Sequence, residues 1–287
     1  MNLDRMALAD IGNPSKLAEA IIGQLGTDGP LATPIDEIAL ALDITSIKDL
    51  DAEGFEGALL TDDAKSEGVI LVKRNSIPER RRFTIGHELG HFLCPFHVPS
   101  EGGFRCSGKD MIASEAAVDC RTKWEVEANA FAAELLMPRS TFLRVLRARK
   151  VLELERLVKI ADDFQVSKIA CGRRIADVGD EPCAVLVSHR RTLKTLYRSR
   201  EFPFIPLRIG MQLPTKSRSA TFEGAPGAIS ETEESESALW TDGRRQGLAI
   251  FEQVLVQLTD YRLTLLTCEQ ADDEDVEAAS AWSPRFK

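Results

Sequence analysis

The 287-residue sequence predicts an α+β chain: an N-terminal core with a small antiparallel sheet, a helical middle segment of helix-turn-helix type, and a mixed α/β C-terminal unit. Three observations carry this. Up to residue 138, short alternating apolar runs are interleaved with stretches of helical periodicity. Pro138 then stops a helix and a basic, strongly helical stretch follows, and from residue 179 strand-like runs resume. The expected domains are therefore 1–138, 139–178 and 179–287, in line with the roughly 150 residues of a typical domain.

A first helix is expected from Pro14 to Leu25. In Pro34 to Leu42, Ile35, Ile38, Ala39 and Leu42 share one helical face. The runs ITSIKDL, FEGALLTDD and EGVILVKRN between Ile44 and Arg74, separated by Gly and Asp, predict three strands in an antiparallel meander. Pro78 opens the helix PERRRFTIGHELGHFL, in the first turn where its missing N–H is harmless, and the helix ends near Cys94-Pro95. A Gly-, Ser- and Pro-rich loop from Pro95 to about Ser114 precedes the helical WEVEANAFAAELLM.

Ser140 is placed to cap the next helix, and LERLVKIADDFQVSKIACGRRI predicts two helices joined by a tight turn at Gln165 to Ser167. Beyond it, CAVLVSH and LTLLTC are expected strands and FPFIPLRIGMQLP an irregular apolar connection, while GLAIFEQVLVQL suits helix or strand.

A net charge of −9 excludes a chain that grips nucleic acid with its whole surface. Basic residues concentrate locally: ten Lys/Arg against five Asp/Glu in 139–178, whereas 229–287 holds thirteen acidic and five basic residues. No apolar run approaches the roughly 18 to 20 residues of a membrane span, and the start MNLDRMALADIGNP lacks the order of a secretion signal, so the chain is expected to be cytoplasmic with no membrane partner. Six cysteines without a CxxC pair are expected to be reduced thiols.

His87-Glu88-Leu89-Gly90-His91 places an HExxH inside a predicted helix. One turn separates the imidazoles, so both reach one Zn²⁺ from the same side. A carboxylate beside zinc-bound water, here Glu88, can take its proton and deliver it to a leaving amine. Catalytic zinc takes a third protein ligand. His97 gives metzincin-like spacing, HELGHFLCPFH, but Cys94-Pro95 replaces the glycine of that turn. Glu125 and Asn129 stand four apart on the second helix, so one can ligate while the other bonds the free ring nitrogen of a ligand histidine. Glu127 points about 200° away from Glu125 on that helix and is the weaker choice.

RFTIGHELGHF followed by EVEANAFAAELLMP resembles the ImmA/IrrE family of zinc metallopeptidases, specifically over residues 78–138 and suggestively through 178. The resemblance implies a zincin, thermolysin-like core. It implies Zn²⁺ on His87, His91 and Glu125, replaceable by Mn²⁺ in activity assays, with Glu88 as general acid/base and Asn129 behind the ligands. It also implies that a strand before the motif helix, here Gly68 to Arg74, pairs with an extended substrate. The resemblance implies further that this substrate is a partner helix-turn-helix transcriptional repressor of a stress response or mobile element, and that the C-terminal domain is sensory or substrate-binding.

Two other readings are a DNA-binding regulator, supported by the basic segment, and a toxin–antitoxin partner whose zinc site binds without turnover. Glu88→Gln separates these from proteolysis, since Glu88 is not a ligand.

Overall fold

Local capping and apolar spacing start the chain. The computed structural model describes residues 1–26, 31–52, 54–99, 103–106, 120–148, 151–242 and 248–270. Helix α1 (Pro14–Leu25) begins at Asn13, whose side-chain oxygen accepts from the Lys16 amide at 2.9 Å, and it buries Leu17, Ala18 and Ile21. Helix α2 (Ile35–Ala41) buries Ile35, Ile38 and Ala39 with Asp36 and Glu37 in its first turn, where they favour the dipole.

The first sheet holds β1 (Ile44–Leu50), β2 (Gly57–Thr61), β3 (Gly68–Lys73) and β4 (Phe104–Cys106) in the order β1-β3-β2-β4. The expected antiparallel meander is corrected here: β3 pairs parallel to β1 and antiparallel to β2, so the sheet is mixed. The burial of the strands explains the order. The apolar GVILVK of β3 suits a central position, whereas β1 ends in the exposed residues Lys48, Asp49 and Leu50, which an edge tolerates. Because β3 is hydrogen-bonded on both sides, Gly68 to Arg74 has no free edge for a substrate strand, which corrects that expectation too. The edge next to β2 belongs to β4, within the stretch expected to be loop.

Helix α3 (Pro78–Leu93) carries the HExxH and is buried from Thr84 to its end. It packs on β2 and β3 and on α4 (Cys120–Leu136). Close approach of the two helices depends on small residues. A Cβ on Gly86 would come within 3.3 Å of the Ala132 methyl, and one on Gly90 within 3.1 Å of Phe131 and 3.2 Å of the Ala128 backbone. Gly86 and Gly90 thus face Ala128 and Ala132, with the paired His87/His91 and Glu125/Asn129 one step around each helix. Lys65 closes the end of α3, its ammonium donating to the carbonyl oxygens of His91 and Cys94 at 2.9 and 2.8 Å.

Helix α5 (Arg139–Arg147) begins two residues earlier than a Ser140 cap requires, so Ser140 lies inside its first turn. The Arg139 amide, one of the first-turn donors with no partner inside the helix, donates to the Glu134 carboxylate at 2.7 Å. Helices α6 (Leu154–Phe164) and α7 (Lys168–Val178) flank a turn at Gln165, whose φ of 52° is left-handed. By Cα packing the chain forms two units, Met1–Val145 with Ala161–Ser167, and Leu146–Ile160 with the residues from Lys168 onward.

The second unit is built on an antiparallel sheet ordered β6-β5-β9-β8-β7, from β5 (Cys183–His189), β6 (Thr192–Arg198), β7 (Glu233–Ser235), β8 (Leu248–Val256) and β9 (Tyr261–Gln270). The ambiguous GLAIFEQVLVQL is β8, because neighbours pair with it on both sides. Phe202, Ile205, Leu213, Trp240 and Ile250 fill the core over it, with single-turn helices α8 (Arg218–Thr221) and α9 (Ser237–Trp240) at its margin. Helix α7 lies against β5, where a Cβ on Gly172 would stand 2.8 Å from Val185, and Arg173 covers the Tyr197 ring at 5.6 Å. From Cys171 onward only Arg173 and Asp177 of α7 are exposed. The second helix of the pair, which would read DNA in a helix-turn-helix, is therefore engaged by its own sheet.

Candidate metal centre

Side chains from α3 and α4 converge in the first unit. Residues four apart on one helix point the same way, so His87 and His91 lie edge to face, their Nε2 atoms 3.1 Å apart. Glu125 enters from α4 with Oε2 3.1 Å from His87 Nε2 and 3.5 Å from His91 Nε2. The three ligand atoms lie within 4.8 Å of one another and all three residues are buried, a geometry able to hold one cation.

Buried polar groups are costly unless matched, and the surroundings fix the protonation of this cluster. Burial holds the His91 imidazole neutral, pushing its pKa down to about 3. Burial alone would raise Glu125, but hydrogen bonds from His87 and His91 overcome it and hold the carboxyl ionised, at about 2. His87 feels burial most strongly, downward, yet Glu125, Glu88 and Asn129 together move it above its ordinary value. A cation would take the place of that proton between the rings and the carboxylate.

Each remaining site residue has a definite place. Asn129 Oδ1 lies 2.9 Å from His87 Nδ1, the ring nitrogen turned away from the cluster. Glu88 is fully buried on the side of α3 facing β2, where a Cβ on Gly57 would stand 2.5 Å from its Oε1. His97 is not with the ligand atoms: its Nδ1 lies 3.0 Å from His91 Nδ1, behind that ring. Glu127 is bonded to His97 Nε2 at 2.9 Å. The chain leaves α3 at Cys94 in extended conformation, φ −64° and ψ 119°, so it makes no metzincin-like left-handed reversal there.

The model of the M78 peptidases, described as the IrrE N-terminal-like domain, matches residues 44–176. Residues 44–176 match the ImmA/IrrE family. This IrrE-like segment spans β1 through α7 and contains the whole cluster. A Mycobacterium tuberculosis transcriptional regulator has a similar fold, with a TM-score of 0.58 at 14% identity over 92% of this chain and 80% of that one. Among curated proteins nothing matches. No helix among the described residues is long and apolar enough to cross a membrane.

Several contributors went unnoticed in the sequence. Gly57 makes room for Glu88, Lys65 caps the motif helix, and Phe104 stacks on His91 with centroids 4.6 Å apart. No local pattern marks them, because each acts from a different strand or turn. His97 and Glu127 were visible only as rivals for the third ligand position. Cys94 beside the site has its thiol pushed up to about 12 by burial, which leaves it an inert filler. The side chains of Cys106 and Cys120 lie outside the described residues.

Proposed function

We propose that the chain is a zinc-dependent metalloendopeptidase that cleaves a partner helix-turn-helix transcriptional repressor. The observation that carries this reading is the convergence of His87, His91 and Glu125 within 4.8 Å, with Glu88 on the same helix. Two imidazole nitrogens and one carboxylate oxygen suit Zn²⁺ with a fourth position left open, the donor set of a catalytic rather than a structural site. A cation held there supplies Lewis acidity toward a peptide carbonyl and makes water a stronger acid.

The residues divide the remaining work. His87 and His91 offer Nε2, and Asn129 keeps the His87 proton on Nδ1 by accepting from it. Glu88 takes the proton of the attacking water and returns it to the leaving amine. An extended substrate pairs most readily with an edge strand; β4 is such an edge and its Phe104 lies against His91, so β4 takes the role that the interior β3 cannot. The family resemblance supports a repressor as substrate, with residues 179–287 serving substrate recognition or sensing.

The test uses purified protein, zinc or manganese, and the helix-turn-helix repressor encoded beside its gene. Glu88→Gln retains metal and loses cleavage, whereas His87→Ala loses both. No cleavage by the metal-loaded wild type sinks the proposal and leaves a non-catalytic zinc site, whereas undiminished cleavage by Glu88→Gln overturns the role given to Glu88.

A further inference from the structure

We propose that His97 and Glu127 act as a positioning couple for His91, fixing its tautomer and aiming its Nε2 at the cation; this rests on the zinc reading above. To serve as a ligand through Nε2, His91 must carry its proton on Nδ1. The partner of that Nδ1–H is His97 Nδ1 at 3.0 Å, which must then be the unprotonated nitrogen of its own ring. The His97 proton accordingly sits on Nε2 and is donated to Glu127 Oε2 at 2.9 Å. A single assignment of protons satisfies the whole chain, and it leaves the Nε2 lone pair of His91 directed at Glu125 and His87.

The couple is held rigidly. His97 is 1% exposed and stacks on Trp124, with ring centroids 5.7 Å apart and planes 29° from parallel. Glu127 is oriented by Lys123, one turn earlier on α4, at 3.7 Å. The geometry also excludes His97 as a ligand for the same ion, because it approaches His91 from the Nδ1 side while the cluster lies on the Nε2 side. The two ligand histidines are thereby supported differently: His87 by the neutral amide of Asn129, His91 through an imidazole by the carboxylate Glu127. A carboxylate behind a ligand imidazole raises its basicity as well as orienting it.

Zn²⁺ affinity, measured by competition with a chromogenic chelator, and the visible absorption of the Co²⁺-loaded protein test the couple without recourse to turnover. Glu127→Ala and His97→Gln are expected to weaken Zn²⁺ binding about 10- to 100-fold and to alter the Co²⁺ spectrum. Glu127→Gln keeps an oxygen to accept from His97 and is expected to lose less. Glu127 is part-exposed, so the apo forms of its variants should match the wild type in circular dichroism and melting, and they decide the matter even if His97→Gln does not fold. Wild-type affinity and spectrum in both Glu127 variants would overturn the couple alone. Failure of the wild type itself to take up Zn²⁺ or Co²⁺ would overturn the underlying zinc reading.

Discussion

Glu125 in the first unit and Glu252 in the second are both buried carboxylates, yet their partners differ in kind. Glu252, on β8, accepts from the amides of Arg218 and Ser219 at 3.0 and 2.6 Å, from the Ser219 hydroxyl at 2.6 Å and from the Trp240 indole at 3.3 Å. Every partner is a donor fixed by the fold, so this carboxylate is a staple that fastens α8 and α9 to the sheet. Glu125 faces the Nε2 atoms of two imidazoles, which become acceptors once a cation displaces the proton held among them, and the three ligand atoms lie within 4.8 Å of one another. A buried carboxylate is therefore not in itself a site; convergence of acceptors is what calls for a metal.

The contrast can be broken most decisively at Glu88. Glu88→Gln should lower single-turnover cleavage by about 10²- to 10⁴-fold with zinc content unchanged, while Glu252→Gln should cleave at the wild-type rate. Loss of cleavage in both would mean that the two carboxylates are not functionally distinct.

Gly57→Ala sharpens the picture on the strand side. A methyl group 2.5 Å from Glu88 Oε1 and from Thr84 Cγ2 must displace the carboxylate, and a shift of order 1 Å should lower cleavage by about 10- to 100-fold with little change in zinc affinity. Equal losses of metal and rate would place the effect on the ligands instead.

In the second unit, Glu252→Ala takes the acceptor from the Arg218 and Ser219 amides and should cost about 3 kcal/mol in urea unfolding, with zinc affinity intact. Zinc should act in the complementary place. At about 100 times its dissociation constant it stabilises the folded state by about 2.7 kcal/mol, and hydrogen exchange should slow in α3 and α4 but not in β5, β8 or β9. Slowing confined to the second unit would contradict the assignment of the metal to Glu125.

The smallest effect expected is on pH dependence. His91 is held at about 3 against an ordinary 6.5, and Glu125 at about 2 against 4.5, so both bind protons more weakly folded than unfolded. The metal-free protein should accordingly be at full strength from these groups above pH 6.5 and weaken as pH falls, first through His91 and then, below 4.5, through Glu125. His91→Asn should flatten the upper part of that decline and Glu125→Gln the lower part. Retention of the full slope by both variants would assign acid sensitivity elsewhere.

Much of this site was legible because helical spacing is local. HExxH on one helix and Glu125 four residues before Asn129 on another define side-chain faces from sequence alone. The sheet was less legible: three strand-like runs were visible, but their alternation does not say which strand is central, and the parallel pairing of β1 with β3 follows from burial after assembly. Ser140 illustrates a similar limit. It has the chemistry of a cap, but the Glu134 carboxylate reaches the Arg139 amide and the helix starts earlier.

The sequence by itself determined elements and faces: which helices form, which two imidazoles share a side, and that a carboxylate and an amide four residues apart share another. Tertiary structure alone decided that His97 backs His91 instead of joining the His87, His91 and Glu125 cluster, that β4 and not β3 offers an edge, and that α7 is covered by a sheet. The reason is range. Periodicity and capping act over a few residues, whereas partners such as Gly57 with Glu88 or His97 with Glu127 lie about 30 residues apart and meet only when a packed core brings their backbones together.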